Sequence, residues 1–298
     1  MVLKNIIAFL LFTILSEAKV LDYLNSIRLQ CGAAALKLYS KLNLSAQKHA
    51  RYIAKNQIFS HYEVPKKAYF FAYAPWNRLE KAKMNTIAVN ENLSFYNKTF
   101  KDSINQLMAT LYHRLSFLDE RVDIIGYAKV KHFYVYELSN SKLDSFCKNA
   151  NYNGEVIICA HQKRLPRTLF TKAINDVAKK SKPLIIYPFN GQRNVPTTLM
   201  QELPAFSLKK RGFAISVIFN RYYFSKIRLI SFKLFHNKKE VLTKIVTKSN
   251  DRAKKLEFNQ VVLLPLSPLY KGQRYDVFLH YSKGNKSLIK KWHFFTKN

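Results

Sequence analysis

Glycine is scarce in this chain, with only seven among 298 residues. Loops that cradle phosphate groups need glycines at fixed spacings, because glycine lets the backbone approach a ligand closely. The sequence contains no GxGxxG, GxxxxGK or GxSxG pattern. It therefore argues against a glycine-rich phosphate loop and against the nucleophile elbow found in many hydrolases.

Cysteine is scarcer still, with Cys31, Cys147 and Cys159 as the whole set. Three cysteines are too few for a disulfide scaffold, and the absence of a CxxC pair argues against a structural zinc site built on thiolates. In an oxidising compartment, Cys147 and Cys159 could close a short loop. Cys31 would then remain as a small buried hydrophobic residue.

Acidic residues are few, since 18 Asp and Glu stand against 50 Lys and Arg, a formal net charge of +32. The excess is spread along the chain: from residue 183 onward there are 22 basic and 5 acidic residues, a net of +17. Such a field attracts polyanions. An anionic envelope surface is one expected partner, whereas nucleic acid is the least expected, because the N-terminus has the pattern of an export signal and no reader motif is present. A basic surface with no dedicated partner explains the charge equally well.

Apolar runs long enough to span a bilayer are also missing, because a span needs roughly 20 residues. The longest run, "IIAFLLFTIL" (6–15), follows the positive charge of Lys4 and precedes the small residues Ser16 and Ala18. This pattern is typical of an export signal. We therefore predict a signal peptide over residues 1–18, cleavage after Ala18, and a periplasmic or extracellular protein.

The spacing of apolar residues divides the remaining chain into two parts. Helical spacing occurs over 20–30, 44–57 and 100–115, and strand-like runs follow over 123–130, 132–138 and 155–161. Residues 166–182 are polar and lysine-rich, which indicates a linker with a short helix. From residue 183 to 298, about seven short β-branched and aromatic runs alternate with turn residues. The fold class predicted is α+β, with an all-β immunoglobulin-like sandwich over 183–298.

Three residues of the first part could carry chemistry: His61 in "IFSHYE", Glu91 in "VNENLS" and His113 in "LYHRLS". Two imidazoles and a carboxylate can bind zinc, with water completing the coordination. The same groups can instead transfer a proton as acid and base. Their spacings of 30 and 22 residues do not by themselves select either role, and eight histidines offer many chance combinations.

Several motifs of the first part occur together in a characteristic order. They are "YLNSIRLQCGAAALKLYSKLNLSAQKHARYIAKNQIFSHYE" (23–63), "APWNRLEKA" (74–82), "NEN" (90–92), "YHR" (112–114) and "IIGYA" (124–128). This ordered set resembles the CAP superfamily, which contains the cysteine-rich secretory proteins, antigen 5 and the plant pathogenesis-related proteins. The second part resembles, mainly in layout, the β-sandwich appended to some bacterial members.

The resemblance implies a CAP-type α/β/α sandwich over residues 19–165 with a cleft lined by His61, Glu91 and His113. It also implies a divalent metal, zinc above all, held by His61 and His113. Two positions depart from the family pattern. Asn90 replaces the glycine of the family's "GEN", and Thr110 lies near the place of a second family glutamate. Thr110 cannot act as a carboxylate, which weakens metal binding and any mechanism that needs two carboxylates.

Three functions follow from these observations. The first is a non-enzymatic, monomeric exported protein whose cleft binds a metal ion or a small ligand such as a lipid. The second is a metal-dependent hydrolase or peptidase that uses the same cleft. The third is a basic polyanion-binding protein. The incomplete carboxylate set favours binding over hydrolysis.

Overall fold

The structure is a computed structural model that describes residues 19–200 and 211–298. The predicted signal peptide and its cleavage site after Ala18 lie outside these residues. The chain forms two compact units. Among the described residues, the first unit holds 19–29, 35–105 and 122–170, and the second unit holds 30–34, 106–121, 171–200 and 211–298.

Helices and short strands alternate up to residue 178. The helices are α1 (19–31), α2 (Ser40–Asn56), α3 (Pro75–Lys81), α4 (Phe100–Ala109), α5 (Leu111–Phe117), α6 (Ser141–Cys147) and α7 (Arg167–Ala178), with a 3₁₀ turn at Ala160–Gln162. The strands are β1 (Lys37–Leu38), β2 (Asn90–Phe95), β3 (Ile124–Val130), β4 (Phe133–Ser139), β5 (Val156–Ile157) and β6 (Arg164–Leu165). Strands β1, β3, β4 and β2 form one sheet in that order, and β5 pairs with β6.

Helix α2 packs against this sheet through one apolar face. Leu42, Ala46, Ala50 and Ile53 follow one another at spacings of three and four residues, and all four are fully buried. Gly126 of β3 permits the close approach, because a Cβ atom there would lie 2.1 Å from the carbonyl carbon of Leu42. The glycine of "IIGYA" is therefore required by packing.

Two expected elements are shorter in the structure than in the sequence-based prediction. The helix expected over 100–115 is broken at Thr110, whose backbone is extended (φ −89°, ψ 161°). The strand expected over 155–161 is reduced to the two residues of β5. Its remainder enters the 3₁₀ turn, where His161 adopts a positive φ of 57° that a strand cannot contain.

Across the described residues of the β-rich region that follows, 184–200 and 211–298, there are nine strands in two sheets. They are β7 (Leu184–Tyr187), β8 (Gln192–Val195), β9 (Ile215–Phe219), β10 (Arg228–His236), β11 (Lys239–Glu240), β12 (Thr243–Val246), β13 (Gln260–Pro265), β14 (Arg274–Lys283) and β15 (Lys286–Thr296). One sheet has the order β11-β10-β14-β15-β8 and the other the order β12-β13-β9-β7. The α+β class is confirmed.

Cys147 and Cys159 form a disulfide bond, with Cα atoms 5.3 Å apart, and Cys31 is a buried thiol. The bond encloses a loop that borders a cavity of about 530 Å³ lined by Asn149, Asn151 and Arg164, among others. Among the described helices, none has the length and apolar character needed to cross a bilayer.

Candidate functional site

His61 follows the end of α2, which terminates at Gln57 in a left-handed conformation (φ 55°). Its Nδ1 atom lies 2.8 Å from Oε1 of Glu91, which is on the sheet strand β2. The His61 side chain is 44% exposed, whereas that of Glu91 is only 2% exposed. The histidine thus forms the accessible end of a pair whose carboxylate is buried.

Arg78 holds the other side of this carboxylate. Its Nη2 atom donates to Oε2 of Glu91 at 2.5 Å, and its Nη1 atom donates to the backbone carbonyl of His61 at 3.1 Å. Arg78 lies in α3 and is fully buried. The guanidinium therefore fixes both members of the pair, the carboxylate through its charge and the histidine through its backbone.

The protonation of Glu91 follows from these contacts. Burial by itself raises the pKa of this carboxyl group, but the Arg78 cation, the hydrogen bond from His61 and the nearby His49 together lower its pKa to about 2. Glu91 is therefore ionised at neutral pH and can only accept hydrogen bonds. Since Glu91 accepts from His61, the proton of the neutral imidazole is on Nδ1 and its Nε2 atom is a hydrogen-bond acceptor.

A second histidine–glutamate pair lies beneath the first. His49 of α2 contacts Oε1 of Glu63 through Nδ1 at 2.9 Å and the carbonyl oxygen of Ser60 through Nε2 at 3.1 Å. Both His49 and Glu63 are fully buried. Oε2 of Glu63 also accepts the backbone N–H of Phe71 at 2.6 Å, so this pair anchors the loop that presents His61.

Sequence reasoning missed this second pair, although a signal was present. His49 lies three residues after Ala46 and seven after Leu42, so helical spacing alone puts it on the buried face of α2. A histidine in such a position needs hydrogen-bond partners. Glu63, two residues beyond His61, is one of the few acidic residues nearby that can provide them.

A third carboxyl group completes the cluster. Glu137 of β4 is paired with Glu91 of β2 in the antiparallel register, and its Oε1 atom accepts from Ser45 at 2.9 Å. Its Oε2 atom is buried and has no hydrogen-bond partner among the described residues. Burial, followed by the charge of Glu91, raises the pKa of Glu137 well above its ordinary value. This shift favours the protonated form of Glu137, and a protonated carboxyl group can donate to Glu91.

The donor set of the first unit does not fit a divalent metal ion. Both Glu91 oxygens are already bonded, one of them to a cation, and only the His61 imidazole retains a ring nitrogen for a ligand. A zinc site needs three or four protein ligands. Across residues 19–200 and 211–298, no group of three or more His, Cys, Asp and Glu side chains is arranged to hold a metal.

The third predicted site residue, His113, belongs to the second unit. It lies within α5, and its Nδ1 atom is 3.1 Å from Oγ1 of Thr110, the residue at which the helix breaks. The structure thus brings His61 and Glu91 together. A place for His113 in the same cleft, and with it a metal shared by His61 and His113, stays a prediction.

Several aromatic side chains lie close to His61 in the sequence. Tyr62 lies 5.2 Å from Tyr73 and 6.1 Å from Trp76 between ring centroids, and all three are about half exposed. Phe59, which precedes His61 by two residues and is also exposed, packs against Phe95 with ring centroids 4.8 Å apart. The aromatic side chains that flank His61 in the sequence are therefore exposed rather than buried in the core.

Comparison with known proteins finds similarity in the first part of the chain. Residues 21–138 match the family model described as CAP, the cysteine-rich secretory protein family. An extracellular protein containing an SCP domain from Bacillus anthracis is similar in structure, at 19% identity and a TM-score of 0.37. The match covers 41% of this chain and 39% of that protein, so it spans about two fifths of each. No curated protein matches the sequence. Residues 21–138 are therefore similar to the CAP family, and a β-rich region follows them.

Proposed function

We propose that this protein is an exported, non-enzymatic binding protein whose CAP domain holds a small ligand at His61. The ligand has a hydroxyl or other hydrogen-bond donor at one end and an apolar body, as a lipid alcohol has. The observation that carries the proposal is the His61–Glu91 pair, in which a buried, ionised carboxylate supports an exposed imidazole.

The two parts of the ligand correspond to two parts of the surface. Nε2 of His61 accepts a hydrogen bond from the head group, because Nδ1 is committed to Glu91. The half-exposed rings of Tyr62, Tyr73 and Trp76 offer an apolar surface for the body. Burial of that surface against the ligand provides the affinity, and the imidazole provides orientation.

The same contacts argue against hydrolysis. A hydrolytic mechanism needs an activated nucleophile or a metal-bound water, together with a carboxyl group that can reach the substrate. The carboxyl groups of Glu63, Glu91 and Glu137 are all buried and bonded within the protein. The site can orient a ligand, but it presents no accessible carboxyl group for acid–base chemistry.

We also propose that the β-rich region is an immunoglobulin-like sandwich of the kind found after bacterial CAP domains. Its division into a five-stranded and a four-stranded sheet supports this proposal. Export to the periplasm or the exterior is proposed from the signal-like N-terminus and from the Cys147–Cys159 disulfide, which persists in oxidising compartments.

Binding of a long-chain alcohol, measured by the fluorescence of Trp76, tests the ligand site. The sequence contains two tryptophans, and Trp292 is buried in the β-rich region. We expect His61→Ala and Tyr62→Ala each to weaken binding about tenfold without lowering the melting temperature. Tyr152→Ala, which removes another exposed ring, from the disulfide loop, is the control. Equal binding by the wild type and both site variants would overturn the proposal.

A further inference from the structure

The five-stranded sheet of the β-rich region has one face that is only partly covered. Along β14, Tyr275, Val277, Leu279 and Tyr281 are buried, and the alternate residues Asp276, Phe278, His280 and Ser282 are partly exposed. Side chains alternate between the two faces of a strand. The exposed set of β14 therefore defines the outer face of the sheet.

The strand register extends this face to both neighbours of β14. Phe278 is paired with Lys233 of β10 and with Lys291 of β15. Phe295 of β15 is paired with Arg274 of β14, and the guanidinium of Arg193 lies 4.6 Å from the Phe295 ring centroid. Each of the two phenylalanines thus lies between two cations. We call these six residues the Phe278–Phe295 face.

Histidine rings lie beside both phenylalanines. His280 is 6.4 Å from Phe278, and His293 is 5.5 Å from Phe295, measured between ring centroids. The rise per strand residue places Phe278 and Phe295 roughly 14 Å apart, because they are four residues and one strand apart. The face therefore presents two edge-to-face pairs of rings rather than a single aromatic group.

The cations of the face exceed its anions. Lys233 is paired with Glu240 at 2.9 Å, and Arg274 with Asp276 at 2.7 Å. Lys291 and Arg193 have no carboxylate partner among the described residues, and both instead contact phenylalanine rings. Two positive charges therefore remain beside the rings, within a region whose net charge is +17.

We propose that the Phe278–Phe295 face binds single-stranded nucleic acid, without sequence preference. The rings stack on bases, and Lys291, Arg193 and the flanking cations contact the phosphates. Proteins that bind single strands combine these same two elements, a basic track and aromatic rings on which bases stack. The sheet supplies both on a rigid surface.

The arrangement favours nucleic acid over the other polyanions that the charge alone would attract. A base-free polyanion would use the cations but would gain nothing from the rings between them. An anionic membrane would require apolar side chains that protrude into the lipid, whereas these rings are partly covered and lie between charges. The export signal and the lack of a linear reader motif make nucleic acid the least expected partner from the sequence, but this face arises from the pairing of four strands, β8, β10, β14 and β15.

Fluorescence anisotropy with a short oligo(dT) and the full mature chain tests the proposal. Polyphosphate of equal charge and phosphatidylglycerol vesicles serve as competitors. We expect Phe278→Ala and Phe295→Ala each to weaken oligo(dT) binding roughly tenfold. Phe278→Trp, which keeps an aromatic ring at this position, should bind as tightly as the wild type. Lys291→Gln should reduce the slope of log affinity against log salt concentration by about 0.7.

Two matched controls show whether the effect belongs to this face. Tyr222→Ala removes an exposed ring from outside the strands of the β-rich region, and Lys55→Gln removes an exposed charge from α2 of the CAP domain. Both should bind oligo(dT) as the wild type does. The proposal fails if polyphosphate or the vesicles compete as well as unlabelled oligo(dT) does, or if the phenylalanine variants bind as tightly as Tyr222→Ala.

Discussion

Glu91 and Glu137 lie directly opposite each other on the antiparallel strands β2 and β4, and the pKa values of their carboxyl groups are shifted in opposite directions. Arg78 lowers the pKa of Glu91 more than that of Glu137, because it donates to Glu91 at 2.5 Å but approaches Oε1 of Glu137 only to 3.8 Å. The negative charge of Glu91 opposes ionisation of its strand partner Glu137, so the pair favours holding one proton between the two carboxyl groups. The cluster is thereby sensitive to pH in both directions.

Glu137→Gln should stabilise the protein at neutral and alkaline pH. The pKa of Glu137 is raised in the folded state, so above its ordinary pKa of 4.5 the unfolded chain holds fewer protons than the folded chain. The free energy of unfolding therefore falls as pH rises, by at most about 1.4 kcal/mol per pH unit. A neutral glutamine does not ionise, so it removes this pH-dependent loss of stability. Urea titrations of both proteins between about pH 5 and 8 measure this effect. The variant should have the higher free energy of unfolding, and the difference from the wild type should grow with pH. An advantage that grows towards acid pH would contradict the assignment of the proton to Glu137.

Glu91→Gln should produce the opposite dependence. The pKa of Glu91 is lowered in the folded state to about 2, so its contribution is complete above 4.5 and is lost as pH falls towards 2. The shift corresponds to about 3 kcal/mol for this buried group. We expect the variant to be less stable at neutral pH by about this amount and to show a flatter acid limb. An acid limb as steep as that of the wild type would show that other carboxyl groups dominate acid unfolding.

The sequence predicts the parts of the site that have a linear signature and misses those that depend on register. His61 and Glu91 were identified from motifs, and the structure joins them by a hydrogen bond of 2.8 Å. Glu137 lies in a plain β-run, "FYVYELS", and its partner is determined only by the pairing of β2 with β4. Arg78 was visible in "PWNRLEK", but its burial depends on how α3 packs against α2.

The same distinction explains the errors in the fold. Helical spacing continues through residues 100–115, yet Thr110 adopts an extended backbone between α4 and α5. Periodicity reports which residues face the core, and it is unchanged when two helices of similar phase follow each other. The Phe278–Phe295 face has no continuous sequence pattern, because its residues come from four strands, β8, β10, β14 and β15, and are brought together only by strand pairing.

Arg78→Gln should be the most damaging single substitution in the CAP domain. The guanidinium is fully buried and bonded to Glu91, so its removal leaves an uncompensated buried carboxylate. Removing one partner of a buried ion pair costs about 3–5 kcal/mol. Chemical denaturation should show a loss of this size, and Glu91 should become protonated at a higher pH than in the wild type.

Arg51→Gln provides the matched control, because Arg51 is an exposed arginine on the same helix as His49. Its substitution should change stability by less than about 0.5 kcal/mol. The double variant Arg78→Gln with Glu91→Gln should be more stable than Arg78→Gln alone, since the unpaired charge is then absent. A double variant less stable than either single variant would show that Arg78 acts mainly through packing.

Removal of the disulfide should destabilise the protein without changing its fold. Cys147 and Cys159 are separated by 12 residues, and in the chain-entropy model a closed loop of this length contributes roughly 3 kcal/mol. We expect the double Cys→Ser variant to lose stability by up to this amount in urea titrations. Thiol titration of the unfolded, unreduced wild type should detect one thiol, that of Cys31, and three after reduction. If reduction left the urea midpoint of the wild type unchanged, the loop would be held instead by its other contacts, such as the Arg164 N–H bond to the carbonyl oxygen of Asn151 at 2.7 Å.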